Sequence, residues 1–435
     1  VVEGRHLLAG ECLAGLKRNL ARTSAVEIRK FSLERYKGYA KATEVELAPL
    51  TILVGANNSG KTALAKAVQL LAGGLACSGK GPSEPLPLES GDIYHGRVFE
   101  DLVTGRTAHG RVSLSVTLND DGNEVSLSTT VRNVESPARP SERQISDWSL
   151  RDGRDRIVLR RQGFDERSAY DVFISGTELK PRRIDWQGLV PRQPGNLASW
   201  VEARVGSLNA WALGVRHLPC PRSLLESPFT SVDHSHLVLG PNGRDVPLAL
   251  AADDDLRESV REWYHRVFGV SIDVAAQGSY SELVIRASSR GANIRLLQSG
   301  RGLSHVLPVT VMALTARGAG PGVDVVEHPE AELHPATHAD IAELLLDNLA
   351  GPVRPMIVET HSEMVLLRAR RWIAEGRLPA DNVLVYWVHT DPGRGSMLRK
   401  ISISESGEME SWPDGVFVES YDEILAIRRA ARPKG

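Results

Sequence analysis

The chain has 435 residues, 42% of them apolar and 24% charged, with a formal net charge of −2, as expected of one large globular domain with insertions or of two domains. The near-neutral balance excludes a global basic field for nucleic acid, so any such surface must be a local patch. Cys12, Cys77 and Cys220 are too widely spaced for a disulfide framework or zinc site and suit a reducing cytoplasm, and no apolar run approaches the ~18 to 20 residues of a membrane span.

Residues 1–25 mix Glu3, Glu11 and basic residues with short apolar stretches, which predicts a leader helix or disordered tail rather than a signal peptide. Val26, Ile28 and Phe31 read as a strand before a Tyr36–Tyr39 turn, Val45 and Leu47 alternate with glutamates, and Leu50–Val54 is a short buried strand. Thr62–Leu75 is a helix that the Gly73–Gly74 pair is expected to end. Residues 78–96 are dense in Pro and Gly and read as loop, and residues 112–118 and 125–131 as a β-hairpin around Asn119–Asn123. These elements define an N-terminal lobe over 26–132. Residues 133–195 are charged and Arg-rich, which predicts an irregular insertion with short strands at 157–159 and 170–174, and no heptads that would build a coiled-coil arm.

A C-terminal lobe spans 196–390. Helices are expected at 197–213 and 256–268 and a strand at 282–286. A Gly-rich turn at 299–304 leads into a helix from His305 to about Ala316. Strands at 323–326, 356–358 and 383–388 then alternate with helices at 338–349 and 362–375, the pattern of a mostly parallel sheet. Residues 391–435 are left as a small C-terminal subdomain.

The segment Gly55-Ala56-Asn57-Asn58-Ser59-Gly60-Lys61-Thr62 fits G-x-x-x-x-G-K-[ST] between a strand and a helix that continues with Ala63. Its glycines let several backbone N–H groups converge on phosphates at a positive helix terminus. Lys61 can reach the β and γ phosphates, and the Thr62 hydroxyl can ligate Mg²⁺. The ligand implied is ATP with Mg²⁺. In Val323-Asp324-Val325-Val326-Glu327-His328-Pro329-Glu330, Glu327 follows the apolar run and is the leading carboxylate for the Mg²⁺ shell, ahead of Asp324. His361, ending Met356–Ser362, is placed to contact the γ-phosphate or the attacking water. Ser299, Gly300 and Gly302 open a helix and can grip an anion.

The order of phosphate loop, Gly-rich turn, Glu327–Glu330 with Leu333-His334-Pro335, and Glu359-Thr360-His361-Ser362 resembles the ABC-type ATPases. Within them the chain is similar to the compact SMC-like and OLD-like AAA ATPases of bacteria. Ser304–Pro308 and Glu408–Phe417 with Trp412-Pro413 resemble a subfamily with a C-terminal domain of unknown function. The resemblance covers residues 26–420. It implies an α/β P-loop NTPase fold, an ABC-type head with a mixed, largely parallel sheet and an antiparallel β subdomain. It also implies a head-to-head homodimer or higher homo-oligomer, with ATP between the phosphate loop and the opposing turn. Carried over, Glu327 takes the Walker B position, Ser299–Gly302 the signature in trans and His361 the switch histidine.

One position departs from the pattern. Where the wider group has a water-polarising Glu after the Walker B acid, this chain has His328, with Glu330 two residues on. An imidazole is the poorer group beside polyphosphate, so hydrolysis is expected to be slow unless Glu330 substitutes. No lid glutamine is found between residues 80 and 110, where Asp92 or Asp101 are the substitutes. The implied role is a cytoplasmic switch or sensor on DNA with a separate effector, such as a nuclease, in antiphage defence or genome maintenance. Arg151, Arg154, Arg156, Arg160, Arg161, Arg182 and Arg183 are the candidate DNA contact, with a solvated face as the other reading. An ATP-binding scaffold without nucleic-acid contact is the alternative. A fused nuclease is not expected in the 46 residues after His389, and the motif forms argue against a transporter subunit.

Overall fold

A change of parity opens the first strand: Val26 and Ile28 are buried at even positions, Phe31 and Leu33 at odd ones. Keeping all four on one face needs an extra residue, and a β-bulge between Ile28 and Lys30 supplies it. In this computed structural model the described residues are 26–76, 84–90, 93–136, 139–163, 168–222, 243–277, 280–286, 293–316, 320–349, 354–410 and 412. The expected leader, Asp92 and most of the Glu408–Phe417 motif beyond Glu410 lie outside them.

The elements run β1 (Val26–Glu34), β2 (Thr43–Glu46), β3 (Leu50–Val54), α1 (Lys61–Leu75), β4 (Glu89–Ser90), β5 (Ile93–Tyr94), β6 (Arg111–Asp120) and β7 (Asn123–Ser136). Asp121 and Gly122 both take positive φ, which makes the β6–β7 connection the tight hairpin turn that the sequence implies. Then come β8 (Arg139–Asp152), β9 (Asp155–Arg161), β10 (Tyr170–Ile174), β11 (Thr177–Arg182), β12 (Trp186–Gln187), β13 (Val190–Pro191) and α2 (Ser199–Leu213). The second half holds β14 (Arg216–Leu218), α3 (Val246–Ala252), α4 (Asp254–Phe268), β15 (Ser271–Gln277), β16 (Tyr280–Arg286), β17 (Ile294–Arg295), α5 (Arg301–Leu314), β18 (Asp324–Glu327), α6 (His338–Asp347), β19 (Met356–Glu359), α7 (Glu363–Ala374), β20 (Val383–Asp391) and β21 (Gly395–Ile401).

An eight-stranded antiparallel sheet has the order β11-β10-β9-β8-β7-β6-β1-β2. The stretch expected to be irregular therefore continues this sheet as a meander through β7 to β11. Its charge misleads because only one face is buried: Trp148, Leu150, Ile157 and Leu159 point inward while Arg151, Arg156 and Arg160 point out. Helix α1 ends at Leu75 as expected, with both glycines inside its last turn. A Cβ on Gly74 would lie 2.5 Å from the Pro85 carbonyl, so these glycines serve close packing rather than termination.

A six-stranded sheet has the order β14-β18-β19-β3-β20-β21, parallel except for β21. Strands β14, β18, β19 and β3 are buried on both faces. Leu53, Val325 and Ile357 join a core shared with α1, α2 and the antiparallel sheet, whereas Ile52, Val326 and Val358 join one with α5, α6 and α7. The boundary expected at 391 coincides with the last residue of β20, and β21 completes the same sheet.

Candidate functional site

The phosphate loop leaves the carboxyl end of β3, in the middle of the parallel sheet. Gly55, Asn58 and Gly60 all adopt positive φ, which curls the loop back on itself. No side chain caps α1 at Gly60, so the amides of its first turn face the loop. Lys61 is buried, and its ammonium donates to the carbonyls of Gly55 (2.9 Å) and Ala56 (2.8 Å), which seats it inside the loop. Ala56, Asn57 and Asn58 are exposed, Ser59 is buried, and Ala63 packs against the core. The loop is braced from behind: the Tyr39 hydroxyl donates to the Gly60 carbonyl at 3.1 Å. A Cβ on Gly55 would meet the Val388 carbonyl at 2.1 Å.

Register places three residues in one row across the sheet, Glu327 opposite Glu359 and Glu359 opposite Leu53. Glu359 is thus one strand closer to the phosphate loop than Glu327. The Thr62 hydroxyl donates to Glu359 Oε1 at 2.8 Å, while Glu359 Oε2 is buried with no hydrogen-bond partner. Both oxygens of Glu327 are engaged elsewhere, Oε1 with His217 Nε2 (2.9 Å) and Oε2 with the Cys220 amide (3.0 Å). Burial disfavours the Glu327 anion, but His217 and that amide outweigh it and hold the carboxyl below its usual range. Burial and the Glu327 charge push Glu359 up. Asp324 is fully buried between Arg216 and Arg354, within 2.7 Å and 2.9 Å, a structural ion cluster and not a nucleotide ligand.

His328, at the left-handed φ of 44°, stands between Glu330 (3.7 Å) and Glu359 (3.6 Å). Burial would lower its pKa, yet the two carboxylates outweigh burial and raise it. The His361 ring is exposed and stacks on His328, and its backbone amide donates to Glu330 Oε1 at 2.8 Å. Burial and the Lys61 charge keep His361 below its ordinary pKa. The structure thus gathers Lys61, Thr62, Glu330, His328, His361 and Glu359 around the end of β3.

The Gly-rich turn is separate. Ser299 closes on the Leu296 carbonyl, Gly300 precedes α5, and Gly302 sits where a Cβ would lie 2.5 Å from the Glu332 carbonyl. No hydrogen bond among the described residues joins this turn to the phosphate loop. Asp101, a candidate lid residue, accepts instead from the amides of Arg97 and Val98 and pairs with Arg106. The arginines of the candidate DNA contact do not share one basic face. Arg160 lies opposite Asp147 and Asp171, and Arg161 bonds the Tyr170 hydroxyl.

The sequence reading left Glu359, His217, Tyr39 and His95 without a role. Glu359 could have been found as the acidic end of the strand beside β3; the others are set by contacts far apart in sequence. His95 is buried with both ring nitrogens unpartnered, and burial together with the Lys37 and Lys66 charges lowers its pKa to about 3.

Oxygen donors beside a phosphate loop suit Mg²⁺, which takes one or two protein oxygens and fills its shell from phosphate and water. The unpartnered buried oxygen of Glu359 next to the Thr62 hydroxyl fits that requirement. No group of three or more His, Cys, Asp or Glu able to hold a metal unaided is present among the described residues. No helix among them is long and apolar enough to cross a membrane.

No curated protein matches the chain. Among solved structures it is similar to an SMC head bound to the C-winged helix domain of ScpA, at 14% identity and TM-score 0.48, over 86% of this chain and 98% of that one. It is similar to the SMC head domain from Thermotoga maritima at 12% identity and TM-score 0.39, over 87% and 100% of the two chains. A third likeness, at 12% identity, TM-score 0.48 and coverage of 93% and 100%, is to an Smc head with an extended coiled coil bound to the C-terminal domain of ScpA derived from Pyrococcus furiosus. A family model described as "AAA domain, putative AbiEii toxin, Type IV TA system" matches residues 50–368, from the strand before the phosphate loop into α7. The chain belongs to this AAA-domain family of P-loop ATPases.

Proposed function

We propose that the protein is an ATP-driven switch in which two copies close head to head on ATP and then act on DNA together with a separate effector polypeptide, such as a nuclease, in antiphage defence or genome maintenance. The observation that carries the reading is the phosphate loop itself, with its three positive-φ residues, open helix terminus and inward-facing Lys61. In this reading the loop amides and Lys61 would hold the triphosphate, and Thr62 with a carboxylate at the carboxyl end of a neighbouring strand would hold Mg²⁺. Bound Mg²⁺ would neutralise charge on the β and γ phosphates. A water attacks the γ-phosphorus in line, the bond to the β–γ bridging oxygen breaks, and the water's proton passes to His328 or Glu330. His361 orients the γ-phosphate from the opposite ring face. Ser299–Gly302 of one copy, at the start of α5, closes over the phosphates held by the other.

The family description names a toxin of a toxin–antitoxin pair, which supports a system with a second polypeptide. Arg151 and Arg156 stand directly opposite each other on an exposed face, and a like-charge pair of that kind is relieved by a phosphate. The second reading, an ATP-binding scaffold without nucleic-acid contact, is favoured by the acids flanking Arg160 and by His328 in place of a carboxylate.

The test is the mass of the full chain in solution with and without ATP, alongside Lys61→Ala. ATP should convert wild type to a dimer or larger and leave the variant unchanged. Equal assembly by both proteins would discard the switch. DNA affinity measured across salt separates the two readings, since phosphate contacts lower log K by about 0.9 for each phosphate neutralised.

A further inference from the structure

We propose that Glu359, not Glu327, is the protein carboxylate that completes the Mg²⁺ site with Thr62. The inference rests on the ATP-binding reading above and deepens it. Three observations carry it. The first is position: β19 is hydrogen-bonded directly to β3, whereas β18, with Glu327 at its end, is one strand further out. The phosphate loop leaves the end of β3, so a carboxylate on the adjacent strand stands closer to that loop than one a strand further out.

The second is contact. Glu359 Oε1 already accepts from Thr62 Oγ1 at 2.8 Å, and Thr62 is the residue whose hydroxyl a phosphate loop offers to the metal. The third is free capacity. Glu359 is only 2% exposed, and its Oε2 has no hydrogen-bond partner. A buried carboxylate oxygen without a donor is costly unless a cation or water satisfies it. Glu327 is just as buried, but His217 Nε2 and the Cys220 amide take one oxygen each, and Arg222 holds its main-chain carbonyl at 2.6 Å. Both its carboxylate oxygens are engaged in tying β18 to β14 and the segment that follows it. Glu327 thus holds that strand end in place, and Glu359 meets the metal.

The experiment is equilibrium titration of the full chain with a fluorescent ATP analogue, in Mg²⁺ and in EDTA, for wild type, Glu359→Gln, Glu327→Gln and Thr62→Ala. The quantity read is the ratio of the two dissociation constants. Wild type should bind at least several-fold more tightly with Mg²⁺ than in EDTA, because the cation bridges the phosphates to protein oxygens. Glu359→Gln and Thr62→Ala should bring that ratio close to one while keeping the EDTA affinity, and Glu327→Gln should keep the ratio. Thermal melting checks that each variant is folded, and Glu359→Asp, with a retracted carboxylate, replaces Glu359→Gln if the latter melts early. A ratio lost in Glu327→Gln and kept in Glu359→Gln overturns the inference. So does a ratio unchanged in both, or a wild type whose ATP affinity ignores Mg²⁺. Absence of ATP binding by wild type in either buffer instead overturns the ATP reading.

Discussion

The imidazole of His328 lies flat against that of His361, with ring centroids 4.8 Å apart and planes 6° from parallel. His328 occupies the place where a water-polarising carboxylate is expected, and Glu330 and Glu359 raise its pKa. A larger protonated fraction makes it a weaker base at neutral pH. His328→Glu should therefore raise kcat for phosphate release by about 100-fold, the low end of the range of general-base effects. ATP affinity should change little. A kcat at or below that of wild type would rule out the imidazole as the cause of slow turnover.

Gly55 cannot carry a side chain. At φ 150° its Cβ would sit 2.1 Å from the Val388 carbonyl, a backbone atom with no freedom to rotate away. Gly55→Ala should cost about 1–3 kcal/mol in denaturant titration, the usual penalty of overpacking. It should also abolish retention of a nucleotide analogue, because the loop has to shift off β20.

The ion cluster under β18 is a matter of stability alone. Asp324 is the anion shared by Arg216 and Arg354 in a dry setting. Asp324→Ala leaves two guanidiniums without their anion, and unfolding in urea should show a loss of about 3–5 kcal/mol. The nucleotide affinity of the protein that remains folded should match wild type.

His95 gives a pH dependence of definite sign. Its folded pKa of about 3 lies below the ordinary 6.5, so the unfolded chain binds the extra proton between those values. Stability is then unaffected above about 6.5 and falls as the pH drops through the window, by about 2 kcal/mol at pH 5. His95→Phe, which keeps an apolar ring in place, should flatten that slope when denaturant midpoints are compared at pH 5 and pH 7.

How far the sequence could be read follows from what each element depends on. Leu50–Val54, the phosphate loop and the β6–β7 hairpin depend on neighbours along the chain, and their residues announce them. The β8–β11 meander was obscured because arginines on its outer face outweigh, in composition, the Trp148 and Leu159 beneath. Glu327 drew attention because it ends an apolar run, yet so does Glu359, and only strand order separates them. His217, Tyr39 and His95 gain meaning from partners more than twenty residues away or from burial, neither of which leaves a local pattern.

The phosphate loop is braced by residues more than 300 positions apart, which couples distant parts of the chain to the site. Gly60 is held by Tyr39 from the turn after β1 and crowded by Ser396 of β21, whose amide donates to the Gly38 carbonyl at 2.8 Å. Strand β3 itself is flanked by β19 and β20. A chain cut after residue 390 would thus keep the phosphate loop, Glu359 and His361 and still lack β21, which packs behind Gly60. Nucleotide retention therefore depends on β21 as much as on the loop that carries the motif.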